Sequence, residues 1–300
     1  TKDISTGRAY DWYNVGKLRN SGFEFDLNVK LIQKKDWYWD MSVNGYTYAN
    51  KMLNLPDEYK VSGMPNGNQR IYEGKDIYRW EMRQFAGLDE KGNSLWYMDR
   101  DLTDGEGNVV GVEKVTTGDA TEATQYLLEK SALPDFTGGL NTTLRWKSLD
   151  LTIMTNFQFG GYGYDYDFSA FSSANFPMNR LKNYADAWNP ETGKGSAPIW
   201  NTNDSNINAS SDRFLISKTY FNLRNITLGY TFPANWMSKI GIKSVRVYFA
   251  CDNVFFASKR KGYDPRTSMG GQGATVALNS VDGTYYSPIR TTSVGLNINF

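Results

Sequence analysis

Histidine is absent from the 300-residue sequence. That removes the commonest general acid–base side chain and the commonest metal-binding imidazole, so most hydrolase and metalloenzyme mechanisms lack an obvious carrier. A single cysteine, Cys251, excludes an internal disulfide framework and any cysteine-cluster zinc site, and reads as a small apolar residue in a strand. Charge of one sign is missing too. The 33 Lys and Arg balance 32 Asp and Glu, so the composition points to neither nucleic acid nor an anionic surface. No apolar run approaches the roughly 18 residues of a membrane helix. Thr1-Lys2-Asp3 opens neither a basic region nor an apolar signal core, so an exported protein would have its true N-terminus upstream.

Aromatic residues, by contrast, are abundant. There are 20 Tyr, 16 Phe and 9 Trp, 15% of the chain, at a mean hydropathy of −0.55. A soluble core rarely combines so many rings with so few aliphatics. A β-barrel in lipid does, because it needs rings at both interfaces and a polar lumen. The chain also alternates with period two. Phe23, Phe25, Leu27, Val29 and Leu31 interleave with Glu24, Asp26, Asn28 and Lys30, so they fall on opposite faces of one strand. The pattern resumes at Trp37-Tyr38-Trp39 and recurs around 140–147, 149–158, 225–230, 245–252 and 293–300. Each segment is roughly ten residues, enough for a tilted strand to cross a membrane.

The connections are lopsided. Short turns at 34–36, 147–150 and about 233–242 alternate with long polar loops at about 51–75, 99–134, 161–214 and 258–287. Outer-membrane barrels have short periplasmic turns and long extracellular loops. With the last strand descending, the strands at 243–257, 216–232, 149–160, 136–147 and 37–50 take alternating directions. Segments 76–87 and 94–98, joined by a turn at 88–93, read as one more crossing hairpin, and the expected total is about nine strands. Bacterial single-chain barrels have even strand numbers, so such a chain cannot close alone. The fold class expected is therefore all-β, an antiparallel transmembrane β-barrel segment of about nine strands from a larger barrel. A short helix is expected near 179–188 within the longest loop.

Several segments resemble the SusC/RagA-like family of TonB-dependent transporters of Bacteroidetes-type bacteria. Asn14-Val15-Gly16-Lys17-Leu18-Arg19-Asn20-Ser21-Gly22-Phe23-Glu24 is similar to the family's N-x-G-x-[IL]-x-N-x-G-x-E stretch. Pro134-Asp135-Phe136-Thr137-Gly138-Gly139-Leu140-Asn141 matches its P-x-F-x-G-G-[IL]-N. Phe221-Asn222-Leu223-Arg224-Asn225, Asp252-Asn253-Val254, Gly262-Tyr263-Asp264-Pro265 and the terminal Val294-Gly295-Leu296-Asn297-Ile298-Asn299-Phe300 follow in the expected order. The resemblance implies that residues 1–300 are the C-terminal part of a barrel of about 22 strands, with the N-terminal plug and first strands absent. It implies an outer-membrane importer of glycans or oligosaccharides, or of peptides. A SusD-like lipoprotein would cap the mouth and the TonB complex would supply energy through the missing N-terminal region. No cofactor, metal or covalent catalysis is implied.

Candidate chemistry is sparse. Tyr162, Tyr164, Asp165, Tyr166 and Asp167 leave an ascending strand on the extracellular side. Tyrosine rings stack on sugars and carboxylates accept hydroxyl hydrogen bonds, so these five are the candidate substrate contacts. The plainer alternative is a girdle or loop-packing cluster. Asp165 and Asp167 have the residue type of a glycosidase pair, without anything to fix the separation that chemistry needs. The oxygen-rich stretch 99–108 fails the calcium-loop register and reads as a solvated turn. Glu24, Asp26, Lys30, Arg145, Lys147, Arg224 and Arg246 would line the lumen. Phe300, an aromatic ending an alternating strand, looks like the recognition signal for barrel assembly. The rival reading is a secreted, soluble β-rich glycan-binding module, in which the apolar faces would form a core instead of meeting lipid.

Overall fold

A computed structural model describes residues 7, 16–172, 186–201, 204, 206–259, 269–270 and 288–300. Seven long strands dominate it: β1 (Lys17–Gln33), β2 (Trp37–Asn54), β3 (Pro134–Trp146), β4 (Leu149–Gly160), β5 (Tyr220–Thr231), β6 (Ser244–Ser258) and β7 (Thr291–Asn299). They form one antiparallel sheet in chain order, each strand pairing with the next. Among the described residues the outer edges of β1 and β7 have no neighbour, so the sheet is open.

Alternation along each strand becomes a continuous face across the sheet because the register keeps like with like. Leu27 lies opposite Val43 and Val43 opposite Leu140. Leu144 lies opposite Leu151, Leu151 opposite Leu228, Leu228 opposite Phe249 and Phe249 opposite Val294. A slip of one residue in any pair would turn that strand's apolar set to the wrong side. Among the described residues no second sheet covers this face. Phe23 is 66% exposed, Val294 76% and Leu296 57%. A soluble sandwich would bury such a surface, and lipid is the solvent that suits it. The soluble-module reading is thereby set aside.

Two bands of rings frame the face. At the short-turn end Trp37 and Trp146 lie 5.8 Å apart. At the other end Phe23, Phe25, Phe136, Phe157 and Phe159 make a ladder with successive centroids 6.2, 6.4, 6.1 and 5.6 Å apart. Gly45 permits the ladder, because a Cβ there would overlap the rings of Phe136 and Phe25 that meet across β2. Thr47, opposite Phe23, is ten residues from Trp37 on β2. Ten residues span about 34 Å along a strand, or about 25 Å of depth at the usual tilt, which is the height of an outer-membrane apolar band.

Three expectations change. The membrane sheet has seven strands among the described residues, not about nine. β2 and β3 already run antiparallel and pair directly, so no crossing is needed between them. The segments at 76–87 and 94–98 instead belong to small sheets beyond the membrane band, and their apolar residues Trp80, Met82 and Trp96 are buried within loops instead of facing lipid. The described parts of the long loops at 51–75, 99–134 and 161–214 likewise have structure of their own. Lys147 is a turn residue with φ 51°, its ammonium 5.6 Å above the Trp146 ring, and not a lumen-lining residue. The helix expected near 179–188 falls largely outside the described residues.

Candidate functional site

The loops after β2 and β4 fold into one module beyond the phenylalanine ladder. Short strands Met64–Asn66, Gln69–Ile71, Arg79–Arg83 and Gln125–Ser131 form a four-stranded sheet. Phe85–Leu88, Ser94–Thr103 and Val109–Thr117 form a second, three-stranded sheet. Trp80, Met82, Leu128 and Ala132 of the first loop pack with Tyr164 and Phe214 of the second in one core. Polar clasps fix the join. Trp80 Nε1 donates to the Tyr162 carbonyl (3.1 Å) and Phe85 N to Asp212 Oδ1 (2.9 Å). Lys218 donates its backbone N–H to the Gly161 carbonyl (2.8 Å) and its ammonium to the Ala132 carbonyl (3.2 Å), where burial pushes the ammonium pKa down.

A cleft opens between this module and the barrel wall. β3 stays paired with β2 only as far as Thr137 and Tyr46, while β2 continues along β1 to Asn54. The notch where they part holds a cavity of about 710 Å³. Tyr48, Asp76, Arg79, Glu129, Asp135 and Tyr162 give it its chemistry. Arg79 is clamped, Nε to Asp76 Oδ2 at 3.2 Å and Nη1 to Glu129 Oε2 at 2.6 Å. Burial works against the guanidinium charge, and the hydrogen bonds to Glu129 and Asp76 more than restore it, so its pKa is raised. The same hydrogen bond holds the Glu129 carboxyl below the usual range. Ser131 Oγ donates to Asp76 Oδ1 (2.7 Å), and Lys130 lies 5.5 Å above the Tyr162 ring. Three carboxylates against one guanidinium leave the cleft net acidic, with tyrosine rings in its wall.

The five residues singled out from the sequence divide. Tyr162 lines the cleft. Tyr164 is 3% exposed, its hydroxyl donating to Ser169 Oγ (3.1 Å) and its ring edge-on to Tyr166 (4.8 Å) and Phe214 (5.9 Å). Asp165 is equally buried and caps the short helix Tyr166–Phe171 by accepting from Phe168 N (3.0 Å). Tyr166 packs on that core, where burial raises its pKa. Tyr164, Asp165 and Tyr166 are thus packed into the loop core, with the Asp165 carboxylate engaged in capping the helix. The Asp167 side chain lies outside the described residues. Tyr48, Asp76, Arg79, Glu129 and Asp135 were missed, since the cleft assembles from five separate stretches of chain with no local motif. Phe300 is 77% exposed and continues the lipid-facing parity of Val294, Leu296 and Ile298. The stretch 99–108 is a hairpin, its tip held by Asp104 accepting from Glu106 N and Asn108 N, both at 2.9 Å.

The face opposite the lipid side is polar and cross-linked. Asp40 accepts from Tyr38 Oη (3.0 Å) and Thr143 N (3.1 Å), and Arg145 lies 5.4 Å above the Tyr38 ring. Arg246 reaches across β5 to Asp150, Nε to Oδ1 at 3.1 Å. Gly229 lies beneath that bridge, and any Cβ there would overlap both partners. Asn222 and Asn225 extend the lattice to Asn156 (3.0 Å) and Asp252 (2.8 Å). Arg224 sits at a bulge in β5. An apolar outer face, a polar inner face, short turns at one end and folded loops at the other define a segment of an outer-membrane β-barrel.

Comparison with known proteins narrows the class. TonB-dependent receptor P3 of Formosa agariphila is 25% identical over 308 residues, covering 96% of this chain and 29% of that protein. TonB-dependent receptor SusC of Bacteroides thetaiotaomicron is 26% identical over 294 residues, covering 96% and 27% respectively. The solved RagAB peptide transporter shares the fold at a TM-score of 0.76 and 24% identity, covering all of this chain and 31% of that one. No protein-family model matches. The chain is similar over nearly its whole length to TonB-dependent receptors of the SusC kind and shares the fold of the RagAB barrel, and it spans about 30% of the length of the relatives it matches.

Proposed function

We propose that the parent of this chain is an active importer of a nutrient, an oligosaccharide, across the outer membrane. The carrying observation is the combination of a lipid-facing sheet with a tyrosine- and carboxylate-lined cleft under a folded extracellular module. Tyrosine faces suit sugar rings, and Asp76, Glu129 and Asp135 accept hydroxyl hydrogen bonds. The likeness to receptors named TonB-dependent supports energy coupling through TonB, and the likeness to SusC and RagAB supports a SusD-like lipoprotein over the mouth. The plug and the TonB contact belong to regions of the parent outside this chain. Capture needs no covalent chemistry, so the protein acts as a transporter and not an enzyme.

The test is uptake by cells expressing the full-length parent, with radiolabelled oligosaccharide and peptide pools offered separately. Oligosaccharide uptake that collapses with the proton-motive force is the expected result. Peptide-only uptake would overturn the substrate class. Uptake indifferent to both TonB and the proton-motive force would overturn import itself.

A further inference from the structure

Charge is balanced in the composition but not in space. The turns at 34–36, 147–148 and 232–243 close the strand pairs at the end away from the loops. They carry Lys34, Lys35, Lys147, Lys239 and Lys243, all exposed, and a single acidic side chain, Asp36. The next carboxylates along the strands, Asp40 and Asp150, turn inward and are engaged there by Tyr38 and Arg246. At the opposite end, residues 55–133 hold 15 acidic side chains against 9 basic ones.

Backbone bonds join the three turns into one rim. Lys147 N donates to Asp36 O (2.8 Å), Thr231 N to Ser148 O (2.9 Å) and Lys243 N to Asn299 O (2.9 Å). Tryptophan marks the same level. Trp37, Trp39 and Trp146 are exposed on the lipid side, and Trp236 is 55% exposed on the short helix Ala234–Met237 within the third turn. Indole rings favour the headgroup depth of a bilayer, and lysine stems reach from there toward phosphates. An acidic protein partner would use the lysines but would leave the radially placed tryptophans unexplained.

We propose that this rim binds anionic phospholipid headgroups of the periplasmic leaflet, the ammonium groups donating to phosphate oxygens while the indoles settle beside the upper acyl chains. The proposal requires only that the sheet sits in the outer membrane with its short turns on the periplasmic side. It does not depend on import.

The experiment reconstitutes the full-length parent in nanodiscs of mixed phosphatidylethanolamine and phosphatidylglycerol, and reads by native mass spectrometry which lipids stay bound once bulk lipid is stripped. Wild type should retain phosphatidylglycerol at about threefold or more over its bulk share, given attraction at each juxtamembrane lysine. Changing all five lysines to glutamine should return the ratio to bulk, and changing all five to arginine should preserve it. Lys239→Gln with Lys243→Gln alone should give an intermediate ratio, which guards against misfolding of the larger variant. A wild-type ratio equal to bulk, or enrichment that survives the five glutamines, would overturn the proposal. So would a periplasmic protein cross-linked through these lysines with the lipid ratio unmoved by their loss.

Discussion

Replacing Ile153 by arginine places a charge near the centre of the membrane band. Ile153 is four residues beyond Leu149 on β4, with Thr142 and Ile226 beside it on the lipid face. Four residues are about 14 Å of strand, or about 10 Å of depth, in a band about 25 Å tall. Charged substitutions on the lipid face cost about 2–4 kcal/mol at midplane and fall toward zero at the interfaces, so about 3–4 kcal/mol is expected here. That is a few hundredfold in the folding equilibrium, at about 1.4 kcal/mol per decade. The control is the adjacent Met154. It lies opposite Asn141 and Asn225, on the polar face, and is 38% exposed. Met154→Arg should stay within about 0.5 kcal/mol, as for other solvent-facing changes. The assay is urea-driven unfolding of the full-length parent in phospholipid vesicles, followed by the gel shift between folded and unfolded barrel. Equal losses at 153 and 154, or a larger loss at 154, would refute the assignment of faces.

Gly229→Ala should cost about 1–3 kcal/mol by overpacking beneath the Arg246–Asp150 bridge, and much less in an Arg246→Ala background, which the same unfolding assay reads as a double-mutant cycle. Tyr126 should titrate abnormally in the loop module. Burial and the hydrogen bond it donates to Asp99 raise its phenol from the reference 10.0 to about 12. Its contribution to stability is therefore complete below pH 10 and lost as pH rises through about 12. Ultraviolet difference spectra should show one tyrosine shifting back toward 10 in Asp99→Asn, and an unchanged profile would contradict the contact. Releasing the clamp with Arg79→Ala frees two carboxylates in the cleft, and should change the apparent affinity for transported substrate while leaving the amount of folded barrel intact, as measured by uptake and by the gel shift.

The membrane strands were legible because a sheet wet by lipid on one side and water on the other writes a period of two into every crossing. β1 and β7 illustrate it: Phe23 to Leu31 and Val294 to Phe300 could be placed on the lipid face without coordinates. Trp80 and Met82 show the limit. They alternate with Arg79, Glu81 and Arg83 as a crossing strand would, but their apolar side meets Phe214, more than a hundred residues away, instead of lipid. Tyr164 and Asp165 are likewise buried by contacts that their own stretch of sequence does not show. Their run of aromatic and acidic residues looks like a binding motif until the partners that bury them are in place. The cleft had no signature at all, because it exists only where β2 and β3 separate. The basic rim was hidden by averaging, since its lysines are cancelled in the composition by acidic loops at the other end of the strands.

Cysteine accessibility in intact cells tests the central claim most directly. In the full-length parent carrying Cys251→Ala, single cysteines would be placed at Glu106, on the tip of the long hairpin, and at Asn235, in the third short turn, both exposed. A membrane-impermeant thiol reagent should label position 106 on whole cells, and position 235 only after the outer membrane is permeabilised, with the protein recovered in the outer-membrane fraction. Labelling at both positions on intact cells, or recovery as a soluble protein, would contradict a barrel with loops outside and turns within.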